Sequence, residues 1–260
     1  MRNGLRRSTG NIPGSNAGSW IDFQDHRPYV PGDDPRHIDW QAYARSGQFT
    51  MKLYREEIRP MVDIAIDGSR SMNLPEIKAV RSLELAYFCA ECAMTGAGAL
   101  RVFILTGERV SVCDPKGNFV PPEGTENSEG APCWARVPWR AGSLRVLLSD
   151  LLHPAKPSLG SALTSGGRAL LLAPYCQDEE NPDWLGNAEL VDCESGARRD
   201  SNFRTEDLKR YGKAYQQHFA NWELVARRHG APFARIPSEP TLMEALASEA
   251  LPTGAVSLAA

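Results

Sequence analysis

Short apolar runs recur along the chain at MVDIAI (61–66), LRVFILTG (100–107), LRVLLSDLL (144–152), RALLLAPY (168–175) and APFARIP (231–237). Each has the length of a core strand, and helical patterns fill several of the intervals between them. Pro75 and Glu76 open a helix predicted to run to about Thr95, with Ile77, Val80, Leu83, Leu85, Tyr87 and Phe88 on one broad apolar face. SLGSALTSGG (158–167) reads as a short helix and TLMEALA (241–247) as a last one. TEDLKRYGKAYQQHFANWELVARRHG (205–230) reads as a long one, with Thr205 as N-cap, Asp207 in the first turn, basic residues in the last turn and Gly230 as the stop. RVSVCD (109–114) follows its neighbour so closely that the two form a hairpin, and ELVDCESGARRD (188–200) reads as two short strands around a Ser-Gly turn.

Strands alternating with helices predict a doubly wound α/β domain over 61–250. Val62–Ile66, Val102–Leu105, Val146–Leu148, Ala169–Leu172 and Phe233–Ile236 are expected in one mainly parallel sheet, with Arg109–Cys113 antiparallel at an edge. Upstream, 1–60 is of another kind. Residues 1–19, rich in Gly, Ser, Asn and Arg, read as a loose arm. Residues 20–59 form a polar and aromatic extension with a turn at VPGDDP and an alternating strand at FTMKLYREE (49–57).

Composition narrows the function classes. The 260 residues are 42% hydrophobic and 23% charged, enough to bury a core without staples, and the net charge is −3. Residues 1–60 hold nine Arg/Lys against seven Asp/Glu, too even a balance to favour a nucleic-acid partner. No apolar run reaches 18 residues, and the basic N-terminus lacks the apolar segment of a secretory signal, so a cytoplasmic location is expected. Of six cysteines, Cys89 and Cys92 form a CxxC within the long helix, where two thiols can share a face, but no second pair completes a zinc site. Buried structural thiols are the favoured reading.

Candidate chemistry lies at strand ends. VDIAIDGSRSM (62–72) leaves the core through Asp67, Ser69 and Ser71, and LRVLLSDLL places Asp150 at the end of another strand. In open α/β sheets the functional crevice lies beyond the carboxyl ends of the strands. If the two strands are neighbours, these four residues meet on one rim, and a set of carboxylates and hydroxyls selects a hard cation such as Mg²⁺. The plain alternative is that each serine caps a turn.

This arrangement resembles the metal-ion-dependent adhesion site of von Willebrand factor type A domains. There a DxSxS loop, a threonine from a second loop and an aspartate from a third surround Mg²⁺, and a partner's carboxylate completes the shell. Asp67, Ser69, Ser71 and Asp150 match the first and third loops, while Thr125 is the sole candidate for the second, so weak Mg²⁺ affinity is expected. The upstream RPYVPGDDPRHIDWQAYARSG (27–47) resembles the signature of the bacterial family called domain of unknown function 58, through Arg27, Tyr29, Gly32, Asp33, Asp34, Arg36, Ile38, Asp39, Trp40, Ala44 and Arg45. That resemblance covers about residues 20–247 and implies a non-enzymatic adaptor accompanying a MoxR-type AAA+ ATPase.

Two readings of the signature stay open. Its Asp and Arg residues can staple the extension onto the sheet, with Trp40 buried against that sheet or its helices and Asp33, Asp34 or Asp39 paired to Arg27, Arg36 or Arg45, or they can form a partner surface. Asp25/His26 and Asp34/His37 could imitate acid–base pairs. For the rim, the rival to Mg²⁺-assisted docking is a metal-dependent hydrolase with His153 as base, or a structural domain whose site is vestigial. Substituting His153 would separate turnover from binding.

Overall fold

A computed structural model describes residues 21–56, 60–96, 98–119, 130–153, 159–164 and 167–257. The arm predicted over 1–19 lies outside the described residues. The chain divides into two compact units, Met1–Arg59 and Pro60–Ala260.

The first unit is an antiparallel ribbon of β1 (Ile21–Pro28) and β2 (Thr50–Glu56), with a bulge between Phe23 and Asp25. Between the strands run a 3-10 turn at Pro35–His37 and a short helix, α1 (Trp40–Ser46). Asp39 starts that helix by accepting the amides of Gln41 and Ala42, both at 3.0 Å, and Gly47 ends it at φ 69°. His26 Nε2 lies 2.8 Å from the Asp39 carboxylate. His26, followed by the Ala42 amide, holds that carboxyl down at about 2. Arg27 grips Asp33 through two bonds of 2.7 and 2.6 Å, and Arg36 closes a local fork on Asp34. Arg45 instead donates to the Gln41 carbonyl at 3.2 Å. The pairing of Asp with Arg therefore holds at two of three positions, and Asp39 takes a histidine.

The first unit by itself does not bury Trp40, which is 59% exposed. It packs edge-on against Tyr43 and Phe49, which stack on each other at 4.5 Å between centroids. As first residue of α1, Trp40 points away from the unit's small core of Ile38 and Met51.

The second unit has three layers. β3 (Met61–Asp67), β4 (Ala99–Thr106), β5 (Arg109–Cys113), β6 (Leu144–Leu148), β7 (Arg168–Tyr175) and β10 (Phe233–Pro237) form one sheet in the order β10-β7-β6-β3-β4-β5. All neighbours are parallel except β4 and β5. A separate ribbon joins β8 (Gly186–Val191) to β9 (Arg198–Phe203).

On one face, Val62, Ile64, Ile66, Val102 and Leu148 meet Leu85, Ala86, Cys89 and Ala93 of α2 (Glu76–Thr95). On the other, Ala65, Phe103, Leu147 and Leu171 meet α3 (Gly160–Thr164) and α5 (Thr205–Arg228), which buries Tyr215, Phe219, Trp222 and Ala226 at helical spacing. Two short elements, α4 (Gln177–Glu180) and α6 (Leu242–Ala245), complete the helices. Among the described residues no helix is long and apolar enough to cross a membrane.

Three local expectations are corrected. The buried stripe of α2 is Lys78, Arg81, Ser82, Leu85, Ala86, Cys89, Ala90 and Ala93, while Ile77, Val80, Leu83 and Tyr87 are exposed. The helix is rotated because its small residues admit close approach to the sheet and its buried cations find partners. Cys89 and Cys92 consequently diverge, one buried and one exposed, and of the other cysteines only Cys176 is buried. Thr205 is the first helical residue rather than the cap: Asp207 accepts the Arg204 amide at 3.1 Å.

At the amino end of the sheet, buried Asp63 is the hub of a clasp. Arg101 donates from Nε and a terminal nitrogen at 2.9 and 3.0 Å, Arg140 from its amide and Nε at 2.9 Å, and Ser143 Oγ at 3.0 Å. Burial opposes ionisation of Asp63, but Arg101 and Arg140 outweigh it and hold the carboxyl below its usual range.

Two stability outcomes are expected from urea unfolding. Asp63→Ala should cost about 3–5 kcal/mol, because it removes the buried carboxylate on which the half-buried Arg101 and Arg140 converge. Trp40→Ala should cost only about 1 kcal/mol, the scale of exposed aromatic contacts.

Candidate functional site

β3 ends in a bend that only glycine fits. The Gly68 amide donates to Leu105 O at 2.7 Å, and a Cβ there would lie 2.9 Å from the methyl carbons Ile104 Cγ2 and Thr106 Cγ2. Asp67 then folds the loop by accepting the Ser69 amide at 2.9 Å on Oδ1. A 3-10 turn follows over Arg70–Asn73, and the hydroxyls of Ser69 and Ser71 come within 3.1 Å of each other. Met72 is buried beneath, its sulfur accepting the Asp150 amide at 3.1 Å.

β6 is the neighbour of β3, so Asp67 and Asp150 do share one rim. Ser149 Oγ donates to Asp67 Oδ2 at 2.6 Å and also accepts the Leu151 amide at 3.1 Å. Leu151 sits at φ 59°, a left-handed kink that ends the strand and turns the chain away. Asp150 Oδ1 accepts the Leu152 amide at 3.1 Å. Its other oxygen receives the ammonium of Lys78 at 2.7 Å, and the same ammonium donates to Glu179 at 2.6 Å. Lys78 is fully buried. Burial alone would lower its pKa, but Asp150 and Glu179 outweigh that and raise it, so the group stays charged. Glu179 is itself held, its second oxygen accepting the Cys176 amide at 2.9 Å.

The rim is roofed from the side by the β8–β9 hairpin. Asp192 braces the hairpin tip by accepting the amides of Glu194 and Ser195 at 3.0 and 2.7 Å. Glu194 then places a carboxylate oxygen 2.9 Å from the Ser71 amide, and Arg70 reaches the Glu194 carbonyl at 3.4 Å. Below the loop is a cavity of about 100 Å³, lined by Ile66, Asp67, Gly68, Met72 and Phe119 among others. That is smaller than the few hundred Å³ of ordinary small-molecule sites.

These residues were tested for a fit to Mg²⁺. Both oxygens of Asp67 and both of Asp150 already accept protein hydrogen bonds, and the Asp150 charge is met by Lys78. A divalent ion here would sit beside a fixed ammonium and find only part of an octahedral oxygen shell. The donor set does not fit a resident Mg²⁺. Among the described residues no group of three or more His, Cys, Asp or Glu side chains could hold a metal. Thr125, the candidate for the second-loop ligand, lies outside the described residues. His153 is half-buried, and the nearby Asp192 carboxyl is held below its usual range mainly by the bonds that Ser195 makes to it.

Residues 25–126 match the family model described as protein of unknown function DUF58. The match takes in the signature from Arg27 to Arg45 and the DxSxS loop, and covers less than half of the chain. Solved structures with similarity to this chain include two from Bacteroides. One is a conserved hypothetical protein, BatB, from Bacteroides thetaiotaomicron, with 10% identity over 76% of this chain and 100% of that one, at a TM-score of 0.32. The other is an aerotolerance-related membrane protein from Bacteroides fragilis NCTC 9343 with multiple mutations to serines. It has 14% identity over 59% of this chain and 87% of that one, at a TM-score of 0.29. At such scores neither likeness bears on the architecture of this chain. No curated protein matches it.

The sequence reasoning brought together Asp67, Ser69, Ser71 and Asp150, and the structure does so too. It missed Lys78, Ser149, Glu179 and Glu194. A signal for Lys78 existed: the stripe Leu85, Ala86, Cys89, Ala90, Ala93, continued one turn back through Ser82, lands on it.

Burial, and then the nearby Asp150, push the Asp67 carboxyl up to about 6 from 3.8. A raised folded-state value means that its contribution to stability is complete below 3.8 and is lost as pH rises through about 6. Asp67→Asn removes that loss while keeping an acceptor for the Ser69 amide. Urea midpoints of the variant should therefore gain on wild type as pH rises from 3.8 to about 6, and hold that gain above it. Parallel midpoints at all pH values would show that Asp67 does not titrate there.

Proposed function

We propose that this chain is a non-enzymatic interaction module that receives a protein partner on the rim formed by the loops of Asp67–Asn73, Ser149–Leu152 and the hairpin tip at Glu194. The observation that carries this reading is how the rim carboxylates are engaged. Asp67 is bound by Ser149 and Ser69, Asp150 by Lys78 and Leu152, Glu179 by Lys78 and Cys176, and Glu194 by Ser71. A general base needs a carboxylate or imidazole within reach of a substrate proton, and the adjoining cavity of about 100 Å³ leaves little room for a substrate. A shaped, rigid rim of loops on a stable sheet is instead what a docking surface requires. The resemblance to domain of unknown function 58, together with the type A-like rim, suggests a MoxR-type AAA+ ATPase or one of its clients as the partner, in the cytoplasm.

A second contact on the first unit is favoured by the exposed rings of Trp40, Tyr43 and Phe49, since clustered aromatic residues are typical anchors of protein interfaces.

Binding of purified MoxR-type ATPase to the immobilised full chain separates the two surfaces. Ser69→Arg, which puts bulk and charge on the rim, should weaken binding at least about tenfold with the urea midpoint unchanged. Trp40→Ala should do so only if the aromatic face is also used. If both variants bind as wild type, neither surface docks this partner and the adaptor reading fails for it.

A further inference from the structure

The type A resemblance implies a divalent cation among Asp67, Ser69, Ser71 and Asp150, yet the structure brings a cation of its own to that place. We infer that the Lys78 ammonium is the resident cation of the rim, so that the rim is built and held without a metal ion. Lys78 rises from the first turn of α2, and its whole side chain is sealed from solvent. Its ammonium contacts Asp150, the carboxylate that occupies the third-loop position, at 2.7 Å, and Glu179 at 2.6 Å. Two buried or half-buried carboxylates are thereby met by one fixed positive charge.

Three observations argue that this ammonium does not step aside for Mg²⁺. Its stem is fully enclosed, so moving the charge into water would mean displacing the side chains packed around it. Withdrawing it would strand Glu179, whose second oxygen is tied to the Cys176 amide. A divalent ion placed among Asp67, Ser69 and Ser71 would also face the ammonium across Asp150, with like charges in a site of low dielectric. On the solvent side, Glu194 adds the other half of the substitution. Its carboxylate rests on the Ser71 amide at 2.9 Å, so an acidic group of the chain itself already sits on the DxSxS loop. The chain thus supplies both a cation and an acid from within. The inference rests on the docking reading only in that both concern the same rim.

The test is a titration of the isolated full-length protein with MgCl₂ and MnCl₂, followed by calorimetry and by thermal unfolding. Wild type should give no saturable heat, and its unfolding temperature should not move between chelator and ~10 mM Mg²⁺, since only a ligand bound by the folded state shifts it. Lys78→Ala, which frees Asp150, should acquire saturable binding and an unfolding temperature that climbs with Mg²⁺. Lys78→Met/Asp150→Asn, which removes the pair together, should fold and remain indifferent to metal. Saturable Mg²⁺ binding by wild type that disappears in Asp67→Ala overturns the inference. So does a Lys78→Ala protein that folds yet ignores Mg²⁺. If that variant fails to fold, the wild-type titration still decides. No partner enters these measurements, so their failure leaves the docking reading standing, and loss of the docking reading leaves them unaffected.

Discussion

An ammonium sealed from water has to be met by carboxylates, and in this protein that requirement ties three elements together. Lys78 belongs to α2, Asp150 to the turn after β6, and Glu179 to α4, and each of the two acids is held in turn by a backbone amide of its own segment. The rotation of α2 follows from it. To deliver Lys78 inward, the helix turns its small residues toward the sheet and leaves Ile77, Val80 and Leu83 outside. The sharp exit of the chain at Leu151 and the position of Asp150 under the DxSxS loop belong to the same arrangement. Buried ion pairs of this kind add little net stability but lose much when one partner goes, so they define a geometry more than they strengthen it.

The two ends of the sheet use similar chemistry differently. At the amino end, Asp63 draws in two arginines and a serine, saturating one carboxylate with donors. At the carboxyl end, Asp150 and Glu179 share the Lys78 ammonium, while Asp67 and Glu194 are met by hydroxyls and backbone amides. A surplus of acid at one rim, together with a burial-raised Asp67, is an electrostatic polarity along the strands. The first unit has a third style. Arg27–Asp33 and Arg36–Asp34 are short-range forks that shape a loop, and Trp40, Tyr43 and Phe49 are exposed.

The sheet was legible in the sequence because strands buried on both faces leave dense apolar runs, and the runs at 61–66, 144–152 and 168–175 could be read directly. The rim was half legible. Asp67, Ser69 and Ser71 stand together in sequence, and Asp150 was placed by the end of its strand. Ser149, Lys78, Glu179 and Glu194 reach the rim from 72 to 124 residues away or by a backbone kink, which local pattern does not encode. The face of α2 differs from the one its bulky apolar residues mark, because small residues line the contact. Packing against a sheet rewards close approach, which Ala86, Ala90 and Ala93 permit. Trp40 is left unburied by its own unit for a related reason: a large aromatic ring is usually a core residue, but at the start of a short helix on a two-stranded ribbon there is no core large enough to take it.

β3 carries its two buried acids, Asp63 and Asp67, on the same side of the strand as Ala65, while Val62, Ile64 and Ile66 face α2. Sliding the strand by one position against β4 and β6 would exchange the two sides. Both carboxylates would then enter the layer of Leu85, Ala86 and Cys89, far from Arg101 and Arg140 at one end and from Ser149 at the other. The central strand is therefore keyed like a two-pin plug, and misaligned assembly of the sheet is penalised at both ends at once. Fidelity of strand alignment, rather than strength, is what these charges contribute to the folding of the chain.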